Sequence, residues 1–180
     1  MVSGSDEYWD SYVIKLVTIG RGKPLFSWFG HSGIEIDYPT GESVFFDYGT
    51  FSFSQDHFIR NFILGRLWFS CSGTYTEYEM NSLKKEGREV SYIVLPLGPK
   101  EKYALINFLF KNYEEEHRVY LYHHYEDNCA TRLRDIINYT TKGDFESWAK
   151  AINGHTYRSL SGEKMSNSPF VLWVLDFIQS

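Results

Sequence analysis

Basic clusters, internal repeats, low-complexity tracts and long linkers are all missing from this 180-residue chain, and it holds only two cysteines. Each absence closes off a class. With 18 Lys and Arg against 23 Asp and Glu, a net charge of −5 and no basic patch, the composition argues against nucleic acid as a partner. Without repeats or linkers, residues 1–180 read as a single domain. The adjacent His123 and His124 point to opposite faces of an extended segment, and no second Cys or carboxylate pair completes a tetrahedral set. No metal and no other cofactor is therefore expected. The start, Met1-Val2-Ser3-Gly4-Ser5-Asp6-Glu7, lacks a basic-then-apolar leader, which taken alone reads as cytoplasmic. The apolar helix that Ser168-Pro169 begins is too short to span a bilayer. Residues 1–11 are expected to be flexible.

What is present suits a packed α+β domain. The chain is long enough to bury a core, and 43% of it is hydrophobic. Aromatic residues make up 18%, which serves an aromatic-rich core, or else a groove for acyl chains or a face touching lipid headgroups. Residues 12–19 alternate as a strand expected beside the hairpin that carries His31. Residues 67–72 read as a strand bearing Cys71. A helix capped by Thr74 or Thr76 runs through Lys85 to Gly87, and residues 89–97 form another strand. A longer helix starts at Pro99, with Tyr103, Ile106, Leu109, Phe110 and Tyr113 on its buried side. A short helix is expected over 144–152, so the whole reads as an antiparallel sheet packed against helices.

The stretch that organises the chain is Tyr125-Glu126-Asp127-Asn128-Cys129-Ala130-Thr131-Arg132-Leu133-Arg134-Asp135. Leu133, Ile136 and Ile137 make an apolar stripe, and Asp127 or Asn128 can cap the helix they define. Cys129 then falls in the first turn, where unpaired N–H groups and the positive end of the macrodipole favour a thiolate. The competing readings are a small buried hydrophobe or half of a disulfide with Cys71.

A nucleophilic cysteine needs a base and a group that orients it. His31 opens a strand that turns through Tyr38-Pro39-Thr40-Gly41 and returns as Ser43-Val44-Phe45-Phe46-Asp47. A loop of about three residues centred on Thr40 sets Gly33 opposite Asp47. His31 is then the diagonal neighbour of Asp47 on one face. A slip by one residue would bring Tyr48 opposite His31 instead, and a strand-edge His beside a surface Asp is the plainer alternative. Aromatic side chains at Trp28, Phe29 and Tyr48 are candidates for the cleft wall. The oxyanion donors are read as the backbone N–H of Cys129 plus Asn128 or Tyr125.

The motifs Phe29-Gly30-His31-Ser32, Phe46-Asp47-Tyr48-Gly49-Thr50-Phe51, Asn61-Phe62 with Gly65-Arg66-Leu67, and Asn128-Cys129-Ala130-Thr131-Arg132-Leu133-Arg134-Asp135 carry a resemblance. Together, from about residue 12 to the end, the chain resembles the extracytoplasmic N-terminal domain of the lipoprotein N-acylation transferase of Bacteroides-type bacteria, the DUF4105 family. The resemblance implies a circularly permuted papain-like fold, related to NlpC/P60 domains, in which the His strand precedes the Cys helix. It implies Cys129 as nucleophile, His31 as base and Asp47 as orienter. It also implies a periplasmic position at the outer face of the inner membrane, with a leader removed and a membrane portion following residue 180. The implied partners are a phospholipid or lipoprotein acyl donor, a diacylated lipoprotein acceptor and the membrane surface. Two other functions fit the same residues: a cell-wall peptidase or amidase using the triad with water, and a non-catalytic binding module held by a Cys71–Cys129 disulfide.

Overall fold

A computed structural model describes residues 6–24, 27–123 and 126–144, with the backbone alone at 62 and 63. The elements run α1 (Asp6–Asp10), β1 (Val13–Ile19), β2 (His31–Asp37), β3 (Ser43–Phe51), α2 (Phe58–Ile63), β4 (Trp68–Tyr75), α3 (Thr76–Lys85), β5 (Val90–Val94), α4 (Pro99–Tyr113), β6 (Val119–Leu121) and α5 (Cys129–Thr140). The strands form one six-stranded sheet in the order β5-β1-β2-β3-β4-β6, with every pairing antiparallel. The architecture is α+β, as the element pattern implies.

Alternation along the strands gives the sheet two apolar faces. On one, Ile14, Ile34, Ile36, Phe46 and Tyr48 pack against Leu105, Ile106 and Leu109 of α4 and Leu133, Ile136 and Ile137 of α5. On the other, Val17, Ile19 and Phe45 receive Leu83 of α3. The helices thus sandwich the sheet, and α5 docks on the larger core by the stripe that its 3.6-residue period sets.

Some boundaries and faces depart from the sequence reading. Residues 6–10 form a short helix: Trp9 sets its ring edge against Tyr103, 4.8 Å between centroids, and Lys102 Nζ donates to the Asp10 carbonyl at 2.9 Å. On α4 the buried set is Lys102, Leu105, Ile106 and Leu109. Tyr103, Phe110 and Tyr113 remain 40–44% exposed, because they flank that stripe and reach the core only by an edge of the ring. Strand β5 stops at Val94, after which Leu95 and Leu97 turn inward ahead of Pro99. The helix expected over 144–152, the 156–158 segment and the helix from Ser168 lie outside the described residues.

The hairpin that positions the site owes its register to its turn. The Tyr38 N–H donates to the Glu42 carbonyl at 2.9 Å, and Gly41 takes a φ of +91°, open to glycine without a Cβ clash. That closure pairs Asp37 with Ser43 and, four residues on, Gly33 with Asp47, the register read from the sequence.

Candidate active site

His31 is the first residue of β2, and it lies diagonally across from Asp47 on the same face of the hairpin. Its Nε2 is 3.2 Å from Asp47 Oδ1. The carboxylate is nearly enclosed, at 12% side-chain exposure, and it is fully occupied. Oδ1 also accepts the Gly49 N–H at 2.6 Å, and Oδ2 accepts the Ser72 hydroxyl at 2.5 Å. The Gly49 contact comes from a β-bulge. Asp47 pairs with Ser72 but Thr50 pairs with Ser70, so Tyr48 and Gly49 together oppose Cys71. Gly49 is also the floor under the imidazole: a Cβ there would stand 2.8 Å from Nε2 and 3.1 Å from Nδ1.

Cys129 arrives from the far end of the chain as the first residue of α5. Asn128 caps that helix, its Oδ1 accepting the N–H groups of Ala130 at 2.9 Å and Thr131 at 3.0 Å, while Thr131 Oγ1 accepts the Asn128 N–H at 2.8 Å. Asp127 has a different task. It receives Arg132 through Nε at 2.6 Å and Nη2 at 2.8 Å. The same guanidinium lies over the Tyr120 ring, 3.9 Å from its centroid, and Tyr120 in turn donates to the Tyr48 carbonyl. Arg132 therefore ties the turn before Cys129 to β6 and to the bulged part of β3.

The His31 and Cys129 side chains are hydrogen-bonded to each other. Since Nε2 faces Asp47, Nδ1 is the ring nitrogen left for the sulfur. Burial disfavours a charged imidazole here, but the hydrogen bonds to Asp47 and Cys129 and their negative charges outweigh it and raise its pKa to about 10. Burial likewise opposes a thiolate, and the His31 hydrogen bond and charge, with the Ser32 and Ala130 N–H groups, overcome it and lower the Cys129 pKa. The Asp47 carboxyl is lowered against its own burial by His31, Ser72 and Gly49. The three groups thus favour a thiolate, an imidazolium and a carboxylate in a row, which is the charge state a thiol nucleophile with an oriented base requires.

Of the residues singled out in the sequence, Cys129, His31 and Asp47 come together. Trp28 sits three residues ahead of His31, pinned by a hydrogen bond from Nε1 to the Lys23 carbonyl at 3.0 Å. Asn128 commits its side-chain carbonyl oxygen to the cap of α5. Tyr48 is no cleft wall. It is 1% exposed, because residues next to each other on a strand face opposite ways and Asp47 holds the site side. Its hydroxyl meets the Cys71 thiol in the core. Tyr125 lies outside the described residues. Both cysteines are free, so no disulfide joins Cys71 to Cys129, and burial pushes the Cys71 thiol up to about 12.

Ser72 and Gly49 escape the sequence reading, as does Glu79 of α3. The Glu79 carboxyl is raised by burial and by Asp47, and it also senses His31, Glu86 and Arg88. Ser72 reaches Asp47 only through a strand pairing 25 residues away, which no local pattern announces. Among the described residues, no three His, Cys, Asp or Glu side chains gather to hold a metal ion. A cavity of about 280 Å³ lined by Val44, Gly73, Thr74, Tyr75 and Tyr78 opens toward the other end of β3 and β4 and includes none of the site residues.

Residues 8–163 match the family described as the Lnb N-terminal periplasmic domain. No curated protein and no solved structure matches the chain.

Proposed function

The chain belongs to the Lnb N-terminal periplasmic domain family, and from that membership together with the site geometry we propose that it is a thiol-dependent acyltransferase that N-acylates the lipidated N-terminal cysteine of lipoproteins. The observation that carries the reading is the hydrogen-bonded row Cys129–His31–Asp47, in which the thiol pKa falls while the imidazole pKa rises. The order of its parts, with the His strand ahead of the Cys helix, supports a permuted papain-like arrangement. Family membership supports an extracytoplasmic setting, and no helix among the described residues is long and apolar enough to cross a membrane.

In the first half-reaction the Cys129 thiolate attacks an ester carbonyl of a phospholipid or lipoprotein acyl donor. The tetrahedral oxyanion forms at the start of α5, where the Cys129 N–H belongs to the first turn and has no partner within the helix. The C–O bond breaks, and the departing lyso-lipid alkoxide takes the imidazolium proton, leaving an acyl thioester and neutral His31. In the second half-reaction the α-amine of a diacylated lipoprotein attacks the thioester. Its proton passes to Nδ1 as the C–S bond breaks, which yields an amide and restores the ion pair. Asp47 holds the ring with Nδ1 toward sulfur throughout. The exposed Phe29 and the half-buried Trp28, just before His31, are placed to meet apolar chains at a membrane surface.

Mass spectrometry of lipoproteins from cells producing Cys129→Ala or His31→Ala tests the reading. Loss of N-acylation in both is expected, whereas unchanged N-acylation in both refutes the transferase mechanism. Release of free fatty acid or cleavage of cell-wall peptides with no amide product would assign the same triad to a hydrolase.

A further inference from the structure

At the end of the sheet where His31 begins β2 lies a cation whose bonding is incomplete. Arg88 follows the turn that ends α3, and its side chain is 10% exposed. Nε donates to the Gly20 carbonyl at 3.0 Å, and Nη1 is 3.7 Å from Glu86 Oε2. Nη2 is buried with no hydrogen-bond partner. A guanidinium carries five N–H donors, and leaving a charged one dry and unpaired is among the more expensive states a side chain can hold. The position is pointed. Gly20 directly follows Ile19, and Ile19 is the strand partner of His31, so the carbonyl that anchors Arg88 is one residue past the base's own neighbour, about 5 Å away across the sheet. The charges of Asp47, His31 and Arg88 all act on the Glu79 carboxyl of α3.

The surrounding loop has the same character. In Gly20-Arg21-Gly22-Lys23 the two basic side chains are exposed, in a chain whose net charge is −5. Gly22 approaches so closely that a Cβ there would strike Ser27 Oγ and come 3.5 Å from Arg88 Cδ. The Gly22 N–H reaches the Ser27 carbonyl at 3.0 Å, so Ser27 and Arg88 share one side of this turn.

We propose that Arg88, with Arg21 and Lys23 of the loop it is bonded to, forms an anion subsite that takes the phosphate ester of the acyl donor and presents its ester carbonyl to Cys129. The planar guanidinium suits two phosphate oxygens, and the two outer cations neutralise what remains of the charge. A glycerophospholipid carries its phosphodiester and its acyl esters on one three-carbon backbone, so anchoring the first presents the second to a nearby thiolate. This rests on the acyl-transfer reading above. Arg88 acts here as a specificity residue for the donor.

The test has two independent arms. In the first, intact-protein mass follows Cys129 thioester formation from phosphatidylglycerol and from diacylglycerol of the same chains, both in neutral-detergent micelles. Wild type should react about tenfold or more faster with the phospholipid. Arg88→Gln should lose that preference while iodoacetamide alkylates its Cys129 at the wild-type rate. Equal rates from both lipids in wild type overturn the subsite, and thioester from neither lipid counts against the acyl-transfer reading instead. The second arm needs no chemistry. Calorimetry should show sn-glycerol 3-phosphate binding to wild type, weakened several-fold in the surface double variant Arg21→Gln, Lys23→Gln and abolished in Arg88→Gln. Absence of binding to wild type overturns the subsite. Equal binding of inorganic phosphate would overturn its assignment to a lipid headgroup.

Discussion

Replacing Gly49 with alanine separates the chemistry of the site from the stability of the fold. The new methyl group would stand 2.8 Å from His31 Nε2 and closer still to Cε1, where ordinary contact begins at 3.4 Å. The imidazole is not the end of a long flexible chain, so it must swing by roughly 1 Å. The Nε2–Oδ1 separation of 3.2 Å is already at the long limit of a hydrogen bond, and a displacement of that size breaks it. With the ring turned away, Cys129 returns toward the ordinary thiol pKa of about 8.5, which leaves roughly 3% thiolate at pH 7, a loss of up to about thirtyfold from a fully ionised pair. Misplacement of the base by roughly 1 Å adds to this, so turnover should fall by about a hundredfold. The assay is the pH titration of thiolate absorbance, which Cys71 does not disturb because its own pKa is pushed up to about 12. Stability should drop by only about 1–3 kcal/mol, the range for an added methyl group in a packed place. Gly33→Ala is the contrast. Its Cβ would strike the Phe45 ring and stand 2.6 Å from the Phe46 carbonyl oxygen, so folding itself should fail. A Gly49→Ala protein whose Cys129 titrates and turns over as in wild type would refute the idea that the imidazole rests on this backbone and controls the thiol.

The remaining expectations concern the parts around His31. Asp47→Asn should retain more activity than Asp47→Ala, since an amide oxygen can still accept from Nε2; equal rates for wild type and both variants would mean that Asp47 does not hold the ring. Ser72→Ala removes one of three hydrogen bonds to a nearly enclosed carboxylate and should lower stability by about 1–2 kcal/mol in urea titration, with partial loss of rate. Because the folded pKa of His31 is raised, its stabilisation is complete below about pH 6.5 and disappears as pH climbs through about 10, whereas the contributions of Asp47 and Cys129, whose pKa values are lowered, vanish on acidification. The stability gap between wild type and His31→Asn, measured by denaturant titration, should therefore narrow toward pH 10. Asn128→Ala should cost about 1 kcal/mol through the lost cap of α5, read from the same titration.

The hairpin and α5 were legible because their determinants are local. Proline and glycine in a three-residue turn fix one register, and one register fixes which face His31 and Asp47 share. The stripe of Leu133, Ile136 and Ile137 and the cap at Asn128 fix how α5 begins. Tyr48 was misjudged because it was weighed as an aromatic near the site, although its parity with Asp47 sends it to the opposite face. Ser72, Glu79 and Arg88 stayed hidden for another reason. Their contacts form only when β4, α3 and β1 assemble, and sequence spacing carries no trace of them. The bulge at Tyr48 and Gly49 was equally silent, since an extra residue in a strand leaves the apolar alternation on either side intact.

Arg132 gripping Asp127 while resting on Tyr120 makes the sulfur's surroundings conditional on the last pieces of the sheet being in place. Until then the protein carries two unremarkable thiols, slow toward oxidants and electrophiles at neutral pH. Swift alkylation at one of them therefore reports what fraction of a sample has reached its finished shape, with no substrate in hand.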